Sequence, residues 1–457
     1  MYVLEQIRSS RYSAMFLVLW LFFIDSSLQS MLIHLVPNFL WKIHLSTNPI
    51  PQATTLSLNI TSQANTLQMF EEAKKTFLTT QKLNVIAISA FIPTLRMFGS
   101  FFVGPLIDRI GHSVPMFAGT LIVFVTAIGY AVAPSFLVLF VSAAAHGVGS
   151  SLIMVGGMTM LARIFNDKEE MEKAIGISLG VAASGAAVGP IFGSLVDICQ
   201  NRRATFFSYA GVIALLGFFQ LFCNCLKVQR VEKNEKIRCL WTLPTDSFTL
   251  TALQGFMTTG LVLGSLYSSF SSWSAFGFNS FESPLDLALV SGIGGFQLGA
   301  TMVNFLPISN KAVSSWPWTP AILEMMIVII GLFSLTIWTS STATAVLMFA
   351  IGHESGMVAS STYAALSYSV ETKYNSKYGS VFAMAILAID VGYFAGLWSA
   401  SGIVPVISFD ILMWIMALFC ALYVASCLAN ERWIKQIVLI ALKKRPRHNS
   451  KITINNI

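Results

Sequence analysis

The chain has 457 residues, of which 55% are hydrophobic and only 11% charged, and its mean hydropathy is +0.70. A water-soluble globule of this length needs far more polar surface, so the composition excludes one and points to a polytopic membrane protein. The formal charge of +7 does not call for nucleic acid, because the cations sit beside apolar runs where anionic lipid headgroups attract them.

Since about 20 apolar residues cross a bilayer as a helix, the runs at about 13–40, 83–106, 113–133, 136–164, 172–198, 203–226, 247–272, 286–308, 318–340, 342–368, 378–403 and 408–430 predict twelve spans. They are long and rich in Leu, Ile, Val, Ala, Gly and Phe instead of alternating with period two, so the fold class is all-α and not a β-barrel. The first span follows a short basic segment, residues 1–12, is too long for a signal peptide and lacks a small-residue cleavage site, so it is expected to be retained. Basic residues keep loops in the cytoplasm. Arg8 and Arg11 precede span one, Lys227, Arg230, Lys233, Lys236 and Arg238 fill the loop after span six, and Arg432, Lys435, Lys443, Lys444, Arg445 and Arg447 crowd the tail. Both termini are therefore expected in the cytoplasm, with Arg202 and Arg203 a local exception.

The segment 41–82 is then a long lumenal loop, and it carries Asn59-Ile60-Thr61, a glycosylation sequon on the side where glycosylation occurs. The linker 227–246 divides a six-helix half, 13–226, from a second, 247–430, which precedes a basic tail, 431–457. Two such halves are expected to face each other across a central cavity and to rock about a site near the midplane. The six cysteines, Cys199, Cys223, Cys225, Cys239, Cys420 and Cys427, show no metal-type spacing, and no metal or other cofactor is expected.

After span two comes GPLIDRIG, Gly104 to Gly111. Glycine lets the chain turn tightly at the membrane surface, Asp108 can cap a helix start or pair with a cation, and Arg109 can reach a carboxylate or a helix end. Such a segment is either a latch that makes and breaks as halves move or an ordinary turn. Span five contains GAAVGPIFG, Gly185 to Gly193, in which Gly185, Gly189 and Gly193 clear one helical face for close approach and Pro190 removes a backbone hydrogen bond.

GPLIDRIG is similar to the loop signature of the major facilitator superfamily, and GAAVGPIFG resembles the span-five signature of its antiporters. The likeness narrows to the vesicular amine transporters, which load monoamines or acetylcholine into secretory vesicles in exchange for protons. It is carried by DRIGHSVPMFAG (Asp108 to Gly119), GVGSS (Gly147 to Ser151), NDKEE (Asn166 to Glu170), GISLG (Gly176 to Gly180), VGPIFGS (Val188 to Ser194), GMVASS (Gly356 to Ser361) and YGSVFA (Tyr378 to Ala383). The resemblance implies a twelve-helix fold of two halves, a small cationic organic substrate, protons as the coupling ion, a monomer, and a secretory or synaptic vesicle membrane.

An ionisable group at bilayer depth costs several kcal/mol unless it faces a wet cavity or a partner, so each is a functional candidate. Asp25 matches the family's span-one aspartate, with Val36 and Pro37 following, and the resemblance implies that it meets a cationic amine or a proton in the cavity. The alternative is a structural carboxylate hydrogen-bonded to Ser26 or to a neighbouring helix. The resemblance implies that spans two and eleven pack together, so Arg96 and Asp390 are expected to form an ion pair that gates the halves, the alternative being two separately satisfied charges; here the family's lysine and aspartate positions hold Ile92 and Ile386. Each charge stands four residues later on the same helix face, and the two differ by roughly 3 Å in depth at 1.5 Å per residue.

Three further ionic positions of the family are neutral, at Ser265, Ala359 and Ala143. His146 and Glu354 are the substitute candidates for proton or substrate binding. His353 and Glu354 are expected to point different ways, and Glu324 to lie at the membrane interface. The reading is a proton-coupled antiporter of organic cations; the second is a divergent relative with another substrate, or with none that is coupled. An enzyme is disfavoured, since no cytoplasmic segment offers a nucleophile and base, a phosphate loop or a metal cluster.

Overall fold

The computed structural model describes residues 11–47, 82–165, 167–199, 202–222, 247–276, 318–337, 340–373, 378–403, 406 and 408–444. Eleven helices account for nearly all of them. These are α1 (Arg11–Thr47), α2 (Lys82–Ile110), α3 (Ser113–Val132), α4 (Phe136–Ile164), α5 (Lys168–Cys199), α6 (Arg202–Phe222), α7 (Ser247–Phe276), α8 (Thr319–Ile337), α9 (Ser341–Lys373), α10 (Tyr378–Ile403) and α11 (Phe409–Lys444). Helices α1 to α7 correspond to spans one to seven, and α8 to α11 to spans nine to twelve. Span eight, the sequon at Asn59, the linker 227–246 and the end of the tail lie outside the described residues.

Among the described residues, six stretches are long and apolar enough to cross a membrane: Arg11–Leu32, Ser113–Val132, Phe136–Ile164, Arg203–Leu221, Tyr378–Ala400 and Phe409–Asn430. A helix suits this environment because every backbone donor finds its acceptor within the segment. Several helices outrun their apolar stretches, among them α1, which continues past Leu32 to Thr47, and α11, which continues past Asn430 to Lys444. Large apolar side chains on outward faces, among them Phe98, Phe102, Leu121, Val125, Leu215 and Leu418, are exposed as lipid-facing residues would be.

Packing reveals a repeat that the residues themselves hide. Span one packs along span five, span three on span four, and span three on span six; adding six to each number gives α7 along α10, α8 on α9 and α8 on α11, which are also in contact. Between the two sets, α2 lies along α10, with α4 also touching α10 and α5 touching α9. An apolar seam of Val103, Ile107, Leu152, Val155, Ala383 and Ile386 seals α2, α4 and α10 together.

Glycine sets the closest crossings. A methyl at Gly185 or Gly189 of α5 would strike the α1 backbone at Phe23 or Ser27. In the repeated pair both partners contribute: Gly260 and Gly264 of α7 meet the backbone of Ile389 and Tyr393, while Gly392 and Gly396 of α10 meet that of Met257 and Leu261. Both spacings, Gly260 to Gly264 and Gly392 to Gly396, place the two residues on one helical face.

Candidate functional site

Helix α2 runs from the loop signature to membrane depth and carries two contacts with α10. At its end, Asp108 accepts hydrogen bonds from the backbone N–H of Gly379 (3.0 Å) and Ser380 (2.8 Å) and from Ser380 Oγ (2.5 Å). These are the first N–H groups of α10, which lack partners within their own helix, and the positive end of the helix dipole adds to the attraction for a carboxylate. Gly104 allows this approach, since a methyl there would overlap Ala383. Gly111 then reverses the chain with φ of 89°, a conformation that disfavours residues with a Cβ. Arg109 lies exposed in the last turn of α2.

Twelve residues back along α2, about 18 Å by helix rise, Arg96 meets Asp390. Nε donates to Oδ1 (3.1 Å) and Oδ2 (2.9 Å), and Nη2 makes a short contact with Oδ1. The side chains are 16% and 1% exposed. Nη1 also approaches Gln29 Oε1 of α1 at 3.4 Å. The guanidinium of α2 therefore reaches two other helices, α10 and α1.

Asp25 sits one turn before Gln29 on the same face of α1 and is 1% exposed. The expectation of a carboxylate open to a cavity is not what the structure holds, because α4 fills both oxygens. Ser150 Oγ donates to Oδ2 at 2.6 Å and His146 Nε2 lies 3.1 Å from Oδ1. Behind the imidazole, Tyr130 Oη of α3 is 3.1 Å from Nδ1. A step away, Ser27 bonds Tyr209 of α6 at 2.6 Å.

The remaining candidates are distributed. His353 and Glu354 do not diverge; their side chains meet at 3.0 Å, half-buried, because two flexible side chains can bend toward each other across one helical step. Glu324, five residues into α8, is buried at 4% exposure. The three neutral positions are sealed: Ser265 Oγ faces Gly396 O (3.4 Å) and Met416 Sδ (3.2 Å), and Ala359 and Ala143 are buried. Gly185 and Gly189 lie against α1, while Pro190 and Gly193 fall within the continuous helix α5. Sequence reasoning missed Ser150, Tyr130 and Gln29. Only Gln29 left a signal, as a large amide one turn from the aspartate.

With the fold and its charges in view, likeness to known proteins is specific. Residues 15–397 match the family model described as the Major Facilitator Superfamily. The synaptic vesicular amine transporter of Mus musculus is 30% identical over 82% of this chain and 71% of its own. The chromaffin granule amine transporter of Rattus norvegicus is 28% identical over 89% and 75%, and the vesicular acetylcholine transporter of Tetronarce californica 25% identical over 89% and 78%. The solved structure of the human organic anion transporter MFSD10 superposes with a TM-score of 0.67 at 11% identity, over 90% of this chain and 99% of that one, a likeness of fold alone. The chain belongs to the major facilitator superfamily, as a divergent member of its vesicular amine transporter group. It is a transporter, not an enzyme.

Proposed function

We propose that the chain is a proton-coupled antiporter that carries a small cationic amine into secretory or synaptic vesicles by alternating access, with both termini in the cytoplasm. The observation that carries this reading is the Arg96–Asp390 pair: opposite charges at membrane depth, bridging α2 and α10 and linked through Gln29 to the face of α1 that holds Asp25. An ion pair between elements that rock apart is a two-state contact, since a buried charge that loses its partner must find another or be neutralised. Asp25 is the amine-binding acid, Arg96 and Asp390 the gate, and Glu354 a second acid within reach of protons. Asp108 on the start of α10 latches the cytoplasmic side. The names of the vesicular relatives support the cationic cargo.

A second reading is motivated by the sealed Ser265, Ala359 and Ala143, which leave no room for the family's charges: a transporter with another substrate, or one without proton coupling. Uptake of radiolabelled serotonin, dopamine and acetylcholine into proteoliposomes with an acidic interior separates the two. Accumulation of one of these cations, lost in Asp25→Asn, is the expected result. No accumulation by the wild type overturns the amine reading, and undiminished uptake by Asp25→Asn removes Asp25 from it.

A further inference from the structure

Asp25 already faces a titratable partner built into the fold. With Asp25 ionised its carboxylate only accepts hydrogen bonds; His146 Nε2, 3.1 Å from Oδ1, is then the donor, and in the neutral ring Nδ1 accepts from the Tyr130 hydroxyl. A proton added to the ring goes to Nδ1. Tyr130 Oη then turns its lone pair toward that proton, and an imidazolium stands against Asp25 with no heavy atom displaced. Ser150 occupies the other carboxylate oxygen throughout, and with Asp25 1% and His146 0% exposed, a cargo cation reaches the acid only by displacing the imidazole.

The surroundings leave this pair in charge of its own proton. From α2 the nearest cation is Arg96, which is engaged by Asp390 of α10. From α6, Tyr209 is bonded to Ser27, and from α3 comes Tyr130 itself. The face of α5 against α1 is Gly185 and Gly189. A second cation beside one buried carboxylate would be uncompensated, whereas a single cation is matched.

We propose that His146 is a tethered competitor for the cargo: its imidazolium and the transported ammonium group claim the Asp25 carboxylate in turn, so proton binding and cargo binding exclude each other. This rests on the antiporter reading above. In the acidic compartment the ring takes a proton and expels the cargo cation; on the neutral side it gives the proton up and yields the acid to a new one. At this carboxylate the exchange is then one proton for one cation.

The test uses the full chain in lipid nanodiscs, with tritiated serotonin and dopamine as probes, bound at equilibrium from pH 5.5 to 8. Wild-type affinity is expected to fall by about tenfold per pH unit on the acid side, the slope of competition with one proton. His146→Gln is expected to bind with little dependence on pH and, in proteoliposomes, to exchange labelled for unlabelled amine while losing accumulation driven by a pH gradient. A His146→Gln protein that keeps the wild-type slope and the gradient-driven accumulation overturns the proposal. Should that variant fail to fold, Tyr130→Phe keeps the ring and is expected to move the pH midpoint of binding; an unmoved midpoint is equally fatal. A cargo-free arm follows the six histidines by 15N-histidine NMR. The His146 ring must change protonation state between pH 5 and 8, and a ring fixed in one state overturns the proposal whether or not any amine is carried. A titrating ring in a protein that takes no amine overturns the transport reading instead.

Discussion

Neutralising one end of the α2–α10 bridge isolates what it contributes. In Arg96→Met the Asp390 carboxylate, 1% exposed, loses all three hydrogen bonds from the guanidinium. Leaving one buried charge of a pair uncompensated costs about 3–5 kcal/mol, a change of about two to four powers of ten in the folded-to-unfolded ratio. Asp390→Leu should cost a comparable amount, because Arg96 keeps only its long contact with Gln29. The double variant, Arg96→Met with Asp390→Leu, removes both charges and replaces them with apolar groups of similar size, so it should return to within about 1 kcal/mol of the wild type. Unfolding in mixed micelles by SDS titration gives the four free energies, and with singles at about 3–5 kcal/mol each the cycle should yield a coupling of about 5 kcal/mol or more. The double variant should also fold normally and yet fail to accumulate amine. A double variant whose loss equals the sum of the two singles would refute the reasoning, since each charge would then be satisfied independently of the other.

Two further outcomes follow from the end of α2. Asp108→Asn keeps an acceptor for one N–H of α10 but loses the charge; with charge-assisted bonds contributing about 1.5–3 kcal/mol each, the ends of α2 and α10 should separate more often, read as longer distances between spin labels on the two ends by electron paramagnetic resonance. His112, in the turn between α2 and α3, is buried with Nδ1 lacking a hydrogen-bond partner among the described residues, and burial, with Arg163 nearby, holds its pKa down to about 4. The unfolded chain therefore binds a proton near pH 6.5 that the folded chain refuses until about 4. Stability should fall as the pH drops through that window, by about 1.4 kcal/mol per unit, and His112→Phe should flatten this part of the stability profile; an unchanged slope would show that His112 titrates alike in both states.

Much of this was legible in the chain because a charge in an apolar run stands out. Asp25, Arg96 and Asp390 each interrupt long apolar stretches, and the predicted span limits put Arg96 and Asp390 within roughly 3 Å in depth, while the family resemblance made their helices neighbours. The pattern around Asp108 announced a surface turn too early: Gly104 to Ile110 continue helix α2, and the chain turns at Gly111. Ser150 and Tyr130 were not legible, since hydroxyls are common in membrane helices and nothing in one sequence says that α3 and α4 present them to α1. The openness of the site was misjudged for a related reason: register tells which way Asp25 points but not that Ser150 and His146 stand in front of it. The spacings at Gly260 and Gly392 were visible, yet their significance depends on which helices are neighbours, and that is decided by the tertiary fold.

The interlocked glycines of α7 and α10 have a consequence for how this carrier can work. Backbone rests on backbone from both sides, at points where any side chain would collide, and so close a contact favours the two helices moving as a single spliced beam. Asp390, mounted on that beam between Ile389 and Gly392, is then expected to part from Arg96 by a tilt of the pair, which would tie a contact a few ångströms long to a displacement of two helices at once.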